Sequence, residues 1–331
     1  MMLSRVAESL FWVGRYIERA ENVARLLDAA RRMSSLPKET GRAPTNEWSS
    51  ILIAAGSRDV FEGDLENVSA KEAAYHLLFD EKNPSSVINC ITNARENARS
   101  VRFALTKDCW EALNSAWAEG RLFDPDMYSS SRLPDMIDWV KDKSNLFRGS
   151  FYGTMVREDG YYFLGIGTTL ERVDSTARLL DVKYHILLPS ITDVGSMADH
   201  YQWLSLLQAA AAQRAYLAMT RSDITARGVA EFLILEPRYP RSILFNLNRT
   251  VELIDELAKI YGQCIVSYDE ITALRDECAA STIDSIVDFG LHEYLTQIIK
   301  RNYGIADLLA TAYSFRPIVT EEEADEALEA Q

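Results

Sequence analysis

The chain has 331 residues, 47% of them hydrophobic and 25% charged, enough for one large or two ordinary domains with a substantial core. Lys and Arg number 35 against 49 Asp and Glu, a net charge of −14 that repels phosphate backbones and argues against a nucleic-acid partner. Gly (15) and Pro (9) fall below their usual ~7% and ~5%, which favours helices; no apolar run approaches ~18 residues, and the four cysteines (Cys90, Cys109, Cys264, Cys278) lack metal spacing, so no membrane, no metal and a reducing, cytoplasmic setting are expected.

Leu3, Val6, Leu10, Val13, Ile17, Ala20, Ala24 and Leu27 recur at steps of three and four, which predicts a helix of roughly thirty residues ending before Pro37. Polar residues up to Asn46 read as a loop, and 48–56 and 70–80 as short helices. Asn83-Pro84 reads as an N-cap with proline at the first helical position, opening a helix from Ser85 to about Leu105, with 108–118 continuing it after a kink. The segment 120–134 reads as a loop, 135–147 as a helix and Glu158-Asp159-Gly160 as a turn. A second long helix is predicted from about Tyr162 to Leu187, ended by Pro189; 196–219 is helical, and Glu236-Pro237 stops the next helix. Pro240 restarts one that runs to about Tyr261, and helices over 268–287 and 289–314 complete the body. The tail after Pro317 is a run of like charges, expected to be flexible. With no period-two strand segments, the fold class is all-α.

The most informative feature is internal. Gly14–Asp28 (GRYIERAENVARLLD) aligns with Gly167–Asp181 (GTTLERVDSTARLLD). At nearly the same offset Trp48-Ser49-Ser50-Ile51-Leu52 meets Trp203-Leu204-Ser205-Leu206-Leu207, Leu77–Asp80 meets Leu233–Glu236, and Pro84–Ile88 meets Pro240–Leu244. Four collinear blocks predict a helical bundle of two copies, 1–150 and 157–315, related by a pseudo-two-fold, with 316–331 as the acidic tail. Whether the copies form one core or two is left open.

The repeated helix carries the candidate charged cluster: Arg15, Glu18, Arg19, Glu21 and Arg25 in the first copy, and Glu171, Arg172, Asp174 and Arg178 in the second. Glu21 and Arg25 stand at i,i+4 with the acid first, the favourable order. On a helical wheel Arg15 and Asn22 point away from the core stripe, while Arg19 and Arg172 project to the flank opposite the acids. One flat surface therefore cannot collect all these charges, but neighbouring helices enclosing both sides would. The readings that stay open are helix-surface pairs worth about 0.2–0.5 kcal/mol each, a variant in which they are buried ion pairs that fix the register between the copies, and a cluster facing a shared cavity whose guanidiniums grip a carboxylate or phosphate.

The stretches LSRVAESLFWVGRYIERAENVARLL, FLGIGTTLERVDSTARLLDVKYH and AEFLILEPRYPRSI resemble the alpha-E family, bacterial helical domains with a Glu-Arg motif, over essentially the whole chain. The resemblance implies an all-helical fold and an association with circularly permuted ATP-grasp proteins and transglutaminase-like proteins, hence with the making or modifying of an amide or peptide. It implies no cofactor and no catalytic residues. The favoured expectation is a partner or substrate-holding component of an ATP-grasp-type ligase system that binds no nucleotide itself; the alternative is an enzyme using the Glu-Arg cluster. One departure stands out: the family's second copy usually reads Gly-Arg-Tyr, and here it reads Gly167-Thr168-Thr169, so a site needing arginine at both Arg15 and Thr168 is asymmetric or absent.

Other constellations carry less. Glu72/His76, Asp181/His185 and Asp288/His292 stand at i,i+4, but no Glu-x-x-His appears. Gly165-Ile166-Gly167 reads as a helix start without a P-loop lysine. Arg95, Arg99 and Arg102 read as a solvated ridge, and Phe11, Trp12, Tyr16, Trp48 and Trp203 as packing residues.

Overall fold

The computed structural model describes residues 2–35, 46–123, 125, 130–187, 197–262 and 266–315. The acidic tail, Cys264, Pro37, Pro189, Pro317 and the side chain of His185 lie outside the described residues. Among those described there are fourteen α-helices and no strand. The first six are α1 (Ser4–Ser34), α2 (Glu47–Ala54), α3 (Ala70–Leu78), α4 (Val87–Ser100), α5 (Lys107–Gly120) and α6 (Leu133–Thr154). Then come α7 (Asp159–Leu187), α8 (Met197–Ala209), α9 (Gln213–Thr220), α10 (Ala226–Leu235) and α11 (Ile243–Tyr261), followed by α12 (Val266–Ala280), α13 (Ile283–Phe289) and α14 (Leu291–Ala312).

Side-chain oxygens cap the starts of seven of the described helices. Asn46 accepts from the Trp48 and Ser49 amides, Ser69 and Glu72 form a capping box, and Ser86, Thr106, Thr225, Ser242 and Thr282 each accept from an amide three residues on. These caps correct four expectations. Asn83 is not the cap of α4: its Oδ1 takes the Ser85 amide in a turn holding Pro84, and Ser86, in extended conformation, opens the helix. Pro240 likewise precedes the start of α11, which Ser242 caps. Thr106 opens α5 as a separate helix, and Thr282 splits the expected 268–287 helix into α12 and α13.

Other boundaries move for packing reasons. Asp159 is the first residue of α7 rather than part of a turn, and its carboxylate accepts from the Gly160 amide. Helix α6 continues past 147 to Thr154, because Phe151 is buried and stacks on Tyr161 at 4.7 Å. The expected 196–219 helix breaks at Ala211, which has φ 57°; the Ala212 amide bonds the Leu207 carbonyl, closing α8 in a Schellman turn. Gly56, with φ 71°, ends α2 the same way, with the Ser57 amide on the Leu52 carbonyl.

Helices α1 and α7 form the centre. They pack along each other; α1 also meets α2, α4, α6 and α8, and α7 meets α2, α8, α11 and α14. Contacts advance in step along both: Leu10 with Gly160, Gly14 with Leu164 and Thr168, Glu18 and Arg19 with Arg172 and Glu171. The two helices therefore run side by side in the same direction. Buried apolar side chains from Val6 to Phe315 form one continuous core around them.

Candidate functional site

Two glycines let the central helices touch backbone to backbone. A Cβ built on Gly14 would lie 2.3 Å from the Leu164 carbonyl oxygen, and one on Gly167 would lie 2.1 Å from the Phe11 carbonyl oxygen. No side chain fits either gap, so glycine here serves close approach. Gly165-Ile166-Gly167 therefore lies inside α7 against α1 and α11, not at a helix start offering free amides.

One turn beyond this crossing, the Glu-Arg motifs meet. Arg172 grips Glu18 with two hydrogen bonds, Nε to Oε1 at 2.8 Å and Nη2 to Oε2 at 2.6 Å. Arg19 grips Glu171 in the same fork, at 2.6 and 3.0 Å. Arg15 adds a third bond to Glu171, Nε to Oε2 at 2.7 Å. Glu18, Glu171, Arg15 and Arg172 are all buried. Arg15 and Asn22, placed by the wheel away from the core stripe, are buried as well, because helices pack against α1 on more than one face.

The second acid–arginine pairs act one turn further on. Arg25 bonds Glu21 and also donates Nη1 to the Ala209 carbonyl at the end of α8. Arg178 bonds Asp174 at 2.7 Å and donates Nη1 to the Ala54 carbonyl at the end of α2, 3.1 Å away. Each guanidinium thus satisfies a carbonyl that a helix end leaves open, and sits at the negative end of that helix's dipole. The two C-terminal turns at Gly56 and Ala211 are what bring those carbonyls within reach.

Two arginines escaped the sequence reading. Arg148 of α6 reaches both Glu18 and Glu21, and Arg241, in the turn before α11, does the same. The only sequence signal was the PRYPRSI block; at the matching place in the segment aligned with it stands Ser85. Thr168, opposite Arg15 in the alignment, turns its hydroxyl to the Leu164 carbonyl at 3.0 Å and takes no part in the charge layer. The two sides therefore differ. Glu18 and Glu21 draw on Arg25, Arg148, Arg172 and Arg241; Glu171 and Asp174 draw on Arg15, Arg19 and Arg178.

Burial would raise the carboxylates' affinity for protons, but the arginines outweigh it. Against burial, Arg19 and Arg15 bring Glu171 down to about 2. Glu21 also falls to about 2, where Arg241, Arg25 and Arg148 overcome both burial and the Glu18 charge. Glu18 lies well below the usual range under Arg172, Arg148 and Arg241. Arg172 and Arg19 are raised, their acids outweighing burial. Carboxylates this acidic and this enclosed are poor proton acceptors near neutral pH.

Two of the three histidine pairs of the sequence reading, Glu72/His76 and Asp288/His292, dissolve. Glu72 is occupied with the Ser69 cap, His76 Nδ1 meets Asp80 at 2.8 Å, and His292 Nδ1 meets Asp181 at 2.6 Å, tying α14 to α7. Among the described residues no group of three or more His, Cys, Asp or Glu is arranged to hold a metal. The arginine ridge is also not merely solvated: Arg95 lies 4.0 Å over the Trp117 ring and Arg102 lies 5.0 Å over Trp110.

Residues 2–313 match the Alpha-E family model, described as a predicted alpha-helical domain with a conserved ER motif. An uncharacterized protein of Mycobacterium bovis and one of Mycobacterium tuberculosis are each 24% identical over 264 residues, which is 74% of this chain and 29% of each relative. The chain thus spans less than a third of the length of these relatives. No solved structure matches it significantly.

Proposed function

Starting from the fact that the chain belongs to the Alpha-E family, we propose that it is a non-catalytic helical component of an ATP-grasp-type system that makes or modifies an amide or peptide bond. The observation that carries this reading is the mutual pairing of the motif: Glu18 with Arg172 and Glu171 with Arg19, all four carboxylate oxygens held by guanidiniums. A catalytic Glu-Arg pair needs a carboxylate or guanidinium turned to a substrate; here both are taken up by each other. The motif's role on this reading is to hold the molecule together, while ATP chemistry belongs to a circularly permuted ATP-grasp partner and further processing to a transglutaminase-like one.

The pattern of contacts supports a second element of the proposal, that the chain is two copies of one helical unit about a pseudo-two-fold. Gly14 meets Leu164 while Gly167 meets Phe11, Glu18 meets Arg172 while Glu171 meets Arg19, and Arg25 ends α8 while Arg178 ends α2. Reciprocal contacts of this kind are what a two-fold interface produces. The mycobacterial relatives add indirect support: the part similar to this chain is 29% of a longer polypeptide, as expected of a module that works beside others.

The test is co-expression with the products of neighbouring genes, followed by ATP turnover with and without this chain. The expected result is a stable complex whose ATP turnover depends on the ligase and is altered by this chain. Micromolar nucleotide binding by the isolated chain in calorimetry overturns the reading.

A further inference from the structure

We propose that the Arg15 side of the charge layer opens into a binding site for a free α-amino acid with an apolar side chain. A cavity of about 310 Å³ lies between one face of α1 and one face of α14. That volume is at the small end of the range of ligand pockets, about 300–1,000 Å³. This inference does not depend on the ligase-partner reading.

The inner wall is Arg15. Its Nε is fixed by Glu171, its guanidinium carbon lies 5.4 Å from the Trp12 ring centre, 5.7 Å from Phe11 and 5.8 Å from Tyr303, and the side chain is only 4% exposed. Within this aromatic box the buried Nη2 has no hydrogen-bond partner. An unpartnered, dehydrated N–H of a cation costs free energy that a ligand carboxylate would recover. Arg19, 21% exposed, lines the same cavity with its Nε and Nη2 held by Glu171, adding positive charge beside Arg15.

The rest of the lining defines what else the ligand carries. Glu8 and Asp307 line the cavity too, so its two cations are matched by two acids, and Glu171 lies directly behind. A bare anion would meet that acidic rim, whereas a zwitterion matches both signs: carboxylate to Arg15, ammonium toward Glu8 and Asp307. Phe11, Trp12 and Phe315 supply an apolar wall for a side chain, with Phe11 and Phe315 5.7 Å apart between ring centres. The site is one-sided. At the equivalent position on α7, Thr168 bonds its own helix, and the Glu18 side is filled by Arg148 and Arg241.

Calorimetric titration of the full chain with glycine, L-leucine, L-phenylalanine and L-tryptophan tests the assignment. An apolar amino acid should bind with a Kd of ~1 mM or tighter, and glycine more weakly. L-phenylalaninamide, lacking the carboxylate, and N-acetyl-L-phenylalanine, lacking the ammonium, should each lose about tenfold or more. Arg15→Gln should lose binding by a similar factor. Ala310→Phe, which fills the cavity from α14 without touching an ion pair, should abolish it and keeps the test decisive if Arg15→Gln fails to fold. The proposal is overturned if none of the four amino acids binds, if the amide or the acetyl derivative binds as well as the free amino acid, or if Ala310→Phe leaves binding unchanged.

Discussion

At the residue scale, the structure turns on arginine rather than on charge alone. Arg25 and Arg178 each hold an acid with Nε and a helix-end carbonyl with Nη1, a span between separated acceptors that the rigid guanidinium fork covers and the single nitrogen of an ammonium covers less well. Arg25→Lys keeps the charge and loses the fork; denaturant titration should show a loss of about 1.5–3 kcal/mol, the range for a hydrogen bond to a charged group. The acids carry a second prediction. Glu21 and Glu171 titrate near 2 in the folded protein and near the ordinary value of about 4.3 when unfolded. Between those values the unfolded chain binds more protons, so their contribution is complete above about pH 4.3 and is lost as pH falls towards 2. Unfolding midpoints measured from pH 7 to 2 should be flat with respect to these groups until about pH 5 and then fall; a midpoint that holds steady down to pH 2 contradicts the assignment. The motif residues were legible in the sequence because the pattern occurs twice. Arg148 and Arg241 were not, because each lies on a separate element and only the fold brings them to Glu18 and Glu21.

At the element scale, the long helices were readable from their three-and-four spacing, and most ends were readable only approximately. The Asn83-Pro84 pair drew attention to the wrong residue: a proline can precede a cap as well as follow one, and Ser86 and Ser242 hold the geometry that takes the amide. Ala211 gave no signal, since alanine is a helix former; its left-handed conformation comes from the Schellman closure and from Arg25 fastening the last carbonyl. The burial of Arg15 and Asn22 was likewise beyond a wheel, which assumes one buried face where α1 has helices on several. The close crossing yields a firm expectation. Gly14→Ala and Gly167→Ala each drive a methyl into a carbonyl of the facing helix, where backbone cannot yield as a side chain would. Each should lower stability by about 1–3 kcal/mol or more in thermal or urea unfolding. Gly149→Ala and Gly153→Ala, on α6 with open space at their Cβ positions, should be neutral or slightly stabilising.

At the scale of the whole molecule, an acidic chain encloses a layer in which seven arginines face four carboxylates. Burial pulls Arg241 down to about 10, with Arg25 and Arg172 adding to it against the pull of Glu21 and Glu18. The layer joins α1 and α7 and reaches α6, the turn before α11, and the ends of α2 and α8, so it touches helices from both halves of the chain. The alignment of the two Glu-Arg segments made this meeting legible in outline: acids of one half reaching arginines of the other. Its one-sidedness was foreshadowed by Thr168 standing where an arginine would. The central claim is that the Glu-Arg pairs are a structural tie between the halves. Denaturant unfolding of Glu171→Ala and Arg172→Ala tests it most directly. Glu171→Ala leaves the buried Arg15 and the part-buried Arg19 without their acid, and the account predicts a loss of about 3–5 kcal/mol. Arg172→Ala takes the two-bond fork from Glu18, which Arg148 and Arg241 still reach, and should cost less, about 1.5–3 kcal/mol. Unfolding midpoints indistinguishable from the parent protein would contradict it.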